Sequence, residues 1–128
     1  MKKPADWCSV AASIAALGGR WKPLILYELS LSPVRFNELW RRIPDASHQV
    51  LANHLRQLEK DGVIIRTVRG TNPLHVEYSL SAFGEEALPA LRLLDKWGKL
   101  FLERSKTSRV VVKTKSEESA APPLTVND

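Results

Sequence analysis

Apolar residues recur along this chain with two periods, and the change from one to the other divides it into elements. Val10, Ile14 and Leu17 fall at i, i+4 and i+7, a single stripe on an α-helix. Gly18-Gly19 closes that helix, because glycine readily takes the backbone conformation that ends one. Trp21, Leu24, Ile25 and Leu29 supply the apolar set of a second helix around Pro23–Leu29, which Ser32-Pro33 breaks. The cleanest stripe is Phe36, Leu39, Trp40 and Ile43, at i, i+3, i+4 and i+7; Pro44-Asp45 ends this third helix. Ser47 is placed to cap a fourth, its hydroxyl accepting an orphan backbone N–H. That helix runs to about Asp61, with Gly62 at its stop.

The period then falls to two. Val63 to Arg69 is a β-branched run, Gly70-Thr71-Asn72-Pro73 is a turn, and Val76 to Leu80 alternates apolar and polar, so the segment reads as a hairpin. A last helix opens near Ser81, with Glu85 and Glu86 in its first turn, and runs to about Ser105; Pro89 should kink or split it. Its residues Phe83, Leu88, Leu91, Leu94, Trp97, Leu100 and Phe101 cover more of the surface than one core face needs. A helix apolar on two sides is buried on two sides, so a second subunit is expected to cover one of them. From about Lys106 the pattern stops. Residues 1–7 read as an N-terminal arm, 8–105 as the folded domain, and 106–128, rich in charge, Ser, Ala and Pro, as a flexible tail in which Arg109–Val112 could pair as a short strand.

The expected fold is mainly α with a small β-hairpin wing (α+β). Helix, short turn, helix and hairpin is the plan of a winged helix-turn-helix, in which the second helix of the pair enters the major groove of DNA. The fourth helix suits that role. Leu51, Leu55 and Leu58 gather on one face, flanked by Val50 and His54; Gln49, Ala52, Asn53, Arg56 and Lys60 gather on the other. Gln and Asn pair with adenine edges, and Arg with guanine or phosphate. Ser47 and His48 stand at the start of the same helix. On the hairpin, Arg66 and Arg69 precede the turn, Asn72 lies in it and His75 follows it, a wing able to meet phosphates or the minor groove. Lys22, Arg35, Arg41 and Arg42 are further candidates for phosphate contact.

Composition sharpens this picture. A net charge of +5 over 128 residues suits a polyanionic partner. No apolar run approaches the roughly 18 residues of a membrane span, and no apolar signal core follows Met1-Lys2-Lys3-Pro4, so a cytoplasmic protein without membrane contact is expected. The one cysteine, Cys8, excludes an intrachain disulfide and a multi-thiolate metal site. His48, His54 and His75 lack metal-ligand spacing, so no metal or cofactor is expected. Cys8 has two readings. It is an inert packed residue, or a sensor thiol, since the start of a helix favours thiolates in general and an odd cysteine can join a partner's or be capped by a small thiol. Two rivals to DNA binding remain: a winged helix that binds protein only, and a thiol enzyme using Cys8 as nucleophile.

Several stretches taken together resemble the HxlR-type transcriptional regulators, a branch close to the MarR regulators. They are Cys8 with Leu17-Gly18-Gly19-Arg20-Trp21, Ile25-Leu26-Tyr27-Glu28-Leu29, Phe36-Asn37-Glu38-Leu39, Leu55 to Gly62, Val76 to Ser81, and Trp97-Gly98. The likeness spans Cys8 to Gly98. It implies a homodimer on palindromic DNA, with dimer contacts from the first helix (Val10, Ile14) and the last (Leu88, Leu91, Leu94, Trp97, Leu100, Phe101). It also implies control of nearby genes, and a sensor role for Cys8 toward oxidants, electrophiles or quinones. Two positions depart from the pattern: Gln49 and His75 stand where similar proteins carry Lys or Arg.

Overall fold

The computed structural model describes residues 8–112. In chain order the elements are α1 (Ser9–Leu17), α2 (Lys22–Leu31), β1 (Val34–Arg35), α3 (Phe36–Arg42), α4 (His48–Lys60), β2 (Ile64–Arg69), β3 (His75–Leu80), α5 (Ala82–Glu85) and α6 (Leu88–Val112). Contacts divide the chain at Leu88 into two units. Among the described residues no helix is long and apolar enough to cross a membrane.

The core of the first unit follows from the stripes. Ile25, Leu26 and Leu29 of α2, Leu39 of α3, and Leu51, Leu55 and Leu58 of α4 are buried against Val34, Val63, Ile64 and Tyr78 on the sheet side. Each such aliphatic side chain contributes roughly 1.5–3 kcal/mol by leaving water. Leu26 takes the core position where the sequence pattern places Leu24, which is exposed. The hairpin pairs antiparallel with Ile64 opposite Leu80 and Arg69 opposite His75. A third strand, β1, adds to its other edge, Val34 opposite Tyr78 and Arg35 opposite Glu77, giving the order β1-β3-β2. Two residues are too few to show a period, so β1 is invisible to pattern reading.

The junction between α4 and β2 is built from backbone groups. Gly62 has φ 77°, where a side chain is disfavoured. The Gly62 N–H donates to the Glu59 carbonyl (3.0 Å) and the Val63 N–H to that of Leu58 (2.9 Å), the paired bonds that satisfy a helix end. Ser81 locks the same corner from the far end of the hairpin. Its N–H donates to the Val63 carbonyl (3.0 Å), its hydroxyl to the Gly62 carbonyl (2.6 Å), and that hydroxyl accepts the Gly84 N–H (2.9 Å), capping α5. Gly84 is buried here, and a Cβ on it would stand 2.1 Å from the Val63 carbonyl oxygen.

The expected last helix is split as Pro89 foretold: α5 ends at Glu85, and α6 begins at Leu88. Glu85 therefore belongs to α5 and not to the first turn of the long helix. The helix also continues beyond Ser105 to Val112, so Arg109–Val112 is helical and not a strand. The expected arm (1–7) and the tail from 113 lie outside the described residues. Taken by itself, α6 is about 37 Å long and carries Leu93, Leu94, Trp97, Leu100 and Phe101 on an arc of about 120°, all exposed. Trp97 and Phe101 stack, one turn apart, with centroids 5.6 Å apart.

Candidate nucleic-acid interface

Helices α3 and α4 with their short connection form the helix-turn-helix. Ser47 is the N-cap of α4, its hydroxyl accepting the Val50 N–H at 3.1 Å. The helix ends with opposite faces: Leu51, Leu55 and Leu58 inward, Gln49, Arg56 and Lys60 exposed, Ala52 and Asn53 half-buried beside them. Asn53 and Arg56 are hydrogen-bonded through Oδ1 and a guanidinium nitrogen, so two groups able to pair with bases are held together. Packing of the leucines thus presents the polar face outward without any further device.

Two rings of α3 hold the first residue of α4. The His48 ring lies 4.7 Å from that of Phe36 and 5.0 Å from that of Trp40, centroid to centroid. The Trp40 Nε1–H donates to the Ala46 carbonyl at 2.9 Å, fixing the connection itself. Phe36 and Trp40 stand one turn apart on the stripe read from sequence, but their contact with His48 depends on the angle between helices, which no stripe reveals.

The cations are distributed unevenly. Arg41 and Arg42 both bind Glu38, Arg42 at 2.9 Å, and Arg42 also reaches Glu28 at 3.2 Å. Arg69 donates to Glu77 at 2.6 Å. Among the described residues Arg35, Arg56, Lys60 and Arg66 have no ion-pair partner. Arg66 is exposed opposite Tyr78 on the hairpin, Asn72 is exposed in its turn, and His75 begins β3 half-buried. A cleft of about 510 Å³ brings Arg35, Phe36, Asn37, Arg41, Leu74 and His75 together between α3 and the hairpin. Lys22 departs from expectation: it is 8 % exposed and turned into the unit, not toward a phosphate. It lies near His54, whose pKa falls below 6.5 because the ring is desolvated by burial and, secondarily, because Lys22 is charged.

Cys8 is the N-cap of α1, half-buried, with its side chain in no capping hydrogen bond. Val10 and Ile14 on the same helix are 67 % and 62 % exposed.

The model of the HxlR-like helix-turn-helix family matches residues 16–106. An uncharacterized HTH-type transcriptional regulator of Methanothermobacter thermautotrophicus is 40% identical over 94 residues, 73% of this chain and 72% of that protein. Among solved structures, the redox regulator HypR in its reduced form is 32% identical with a TM-score of 0.74, covering 78% of this chain and 99% of that one. The reduced transcriptional regulator YodB of Bacillus subtilis is 30% identical with a TM-score of 0.69, covering 81% and 98%.

Proposed function

The chain belongs to the HxlR-like helix-turn-helix family of transcriptional regulators, and on that premise we propose that it binds a palindromic DNA operator as a homodimer, with α4 in the major groove. The observation that carries this reading is the two-faced α4: three leucines buried, and Gln49, Asn53 and Arg56 together on the outer side. Gln49 and Asn53 suit adenine edges, Arg56 a guanine or a phosphate, and Ala52 a thymine methyl. Ser47, Lys60 and the unpaired Arg35 and Arg66 suit the phosphates that set register; Arg69, held by Glu77, with Asn72 and His75 completes the wing. The dimer is supported by apolar surface that one chain leaves in water: Val10 and Ile14 on α1, and the broad arc of α6; Leu88 and Leu91, half-buried, lie on the other side of that helix.

A labelled fragment from upstream of the protein's own gene, titrated with salt and competitor DNA, tests the reading. Tight, competitor-resistant binding with a steep salt slope is expected. Arg56→Ala should weaken that binding by about 1–3 kcal/mol. Binding indifferent to salt and to Arg56 would favour a protein-interaction role.

A second reading concerns regulation. Cys8 is accessible in part and its side chain is uncommitted, and HypR, similar in sequence and fold, is a redox regulator. Oxidation of Cys8 is proposed to change operator affinity. In the same titration a mild thiol oxidant should alter binding by the wild type and leave Cys8→Ser unaffected; equal responses would return Cys8 to a packing role.

A further inference from the structure

His48 stands next to the base-reading residues in sequence, but its ring is occupied differently from theirs. Gln49, Arg56 and His48 are all exposed on α4, but the imidazole of His48 also rests one side against two aromatic rings from consecutive turns of α3, 4.7 Å from Phe36 and 5.0 Å from Trp40. Trp40 in turn holds the connection between the helices through Ala46. Aromatic pairs at these separations prefer tilted or edge-to-face geometry, and the observed interplanar angles of 57° and 83° fit it. The three rings therefore form a clamp between the first residue of α4 and the helix before it.

We propose that His48 is a positioning residue: clamped by Phe36 and Trp40, it sets the angle at which the start of α4 meets DNA, and it does not read a base itself. This rests on α4 being the recognition helix. The physical reason is leverage. The residues that reach base edges cluster near the start of such a helix, and Gln49 directly follows the clamped position. A small rotation there moves the amide of Gln49 and the Asn53–Arg56 pair together. Base hydrogen bonds fail with small misalignment, whereas phosphate contacts from long cationic side chains tolerate it. Loosening the clamp should therefore cost specificity more than general affinity.

Two substitutions separate the clamp from a direct reader. His48→Phe keeps a ring and loses every donor and acceptor; His48→Gln keeps hydrogen-bonding groups and loses the ring. Operator and competitor affinities are measured for both in the full chain, alongside thermal melting. The expected result is that His48→Phe stays within about twofold of wild type, while His48→Gln loses about tenfold in operator affinity, close to one aromatic contact's worth, with competitor binding and its salt slope unchanged. The reverse order, or equal affinities for the two variants, overturns the proposal. A matching fall in competitor binding and melting temperature for His48→Gln also overturns it, since that marks a general loss of fold. Absence of specific binding by the wild-type protein is a separate outcome and counts against α4 as the recognition helix; the clamp falls with it.

Discussion

The Nδ1 atom of His54 is buried on the inner flank of α4 with no hydrogen-bond partner among the described residues. Burial and the nearby charge of Lys22 both disfavour its protonation, so its pKa in the folded state lies below 6.5. Above that value the ring is neutral in both states and contributes no pH dependence. As the pH falls through 6.5 the unfolded chain takes up a proton before the folded one does, and stability is lost progressively until the folded ring is protonated too. His54→Gln, neutral at every pH, should flatten this dependence. Denaturant unfolding of both proteins between pH 7.5 and about pH 5 checks it: parallel curves would show that His54 contributes nothing to the acid sensitivity. Lys22→Met should reduce the slope in the same direction, though less, because its charge is the smaller of the two causes.

At the scale of elements, the tie between α4 and the hairpin depends on two glycines, Gly62 for its positive φ and Gly84 for the room it leaves to backbone. Gly84→Ala would drive a methyl into the Val63 carbonyl, which also accepts the Ser81 N–H, on the residue whose own N–H closes the end of α4. A cost of about 1–3 kcal/mol is expected, read as a lowered denaturation midpoint with an unchanged slope; an unaltered midpoint would mean that α5 shifts freely. The helices and their stops were legible in the chain because each rests on a local rule: Ser47 before α4, Gly62 after it, and Pro89 in the first turn of α6. The polar face of α4 was equally legible, since burying Leu51, Leu55 and Leu58 leaves its partners only one direction. What depends on contacts distant in sequence was not. The β1 pairing, the burial of Lys22, the neutralisation of Arg42 by Glu28 and the rings around His48 all arise where elements meet. The inner face of α2 takes Leu26 where the pattern places Leu24, two residues earlier, and Lys22 shares that face with Ile25, Leu26 and Leu29.

For the whole molecule, the exposed arc of α6 is a broad stretch of apolar surface with no cover. Trp97 is 62 % exposed at its centre, and isolated chains seldom leave such a patch in water. If a second copy covers it, Trp97→Glu should convert a dimer to a monomer in sedimentation analysis while each chain keeps its melting behaviour, and operator affinity should drop at least about a hundredfold, because the two half-sites are no longer bound together. A monomeric wild type would remove the dimer reading and leave DNA binding to be judged separately. One further consequence comes from Ser81, which bonds to the carbonyls of both Gly62 and Val63. It ties the end of α4 to the end of the hairpin at one corner. In a pair of chains so tied, a signal would have little purchase on that corner. Control would work as with callipers, whose points keep their form while the gap between them is reset.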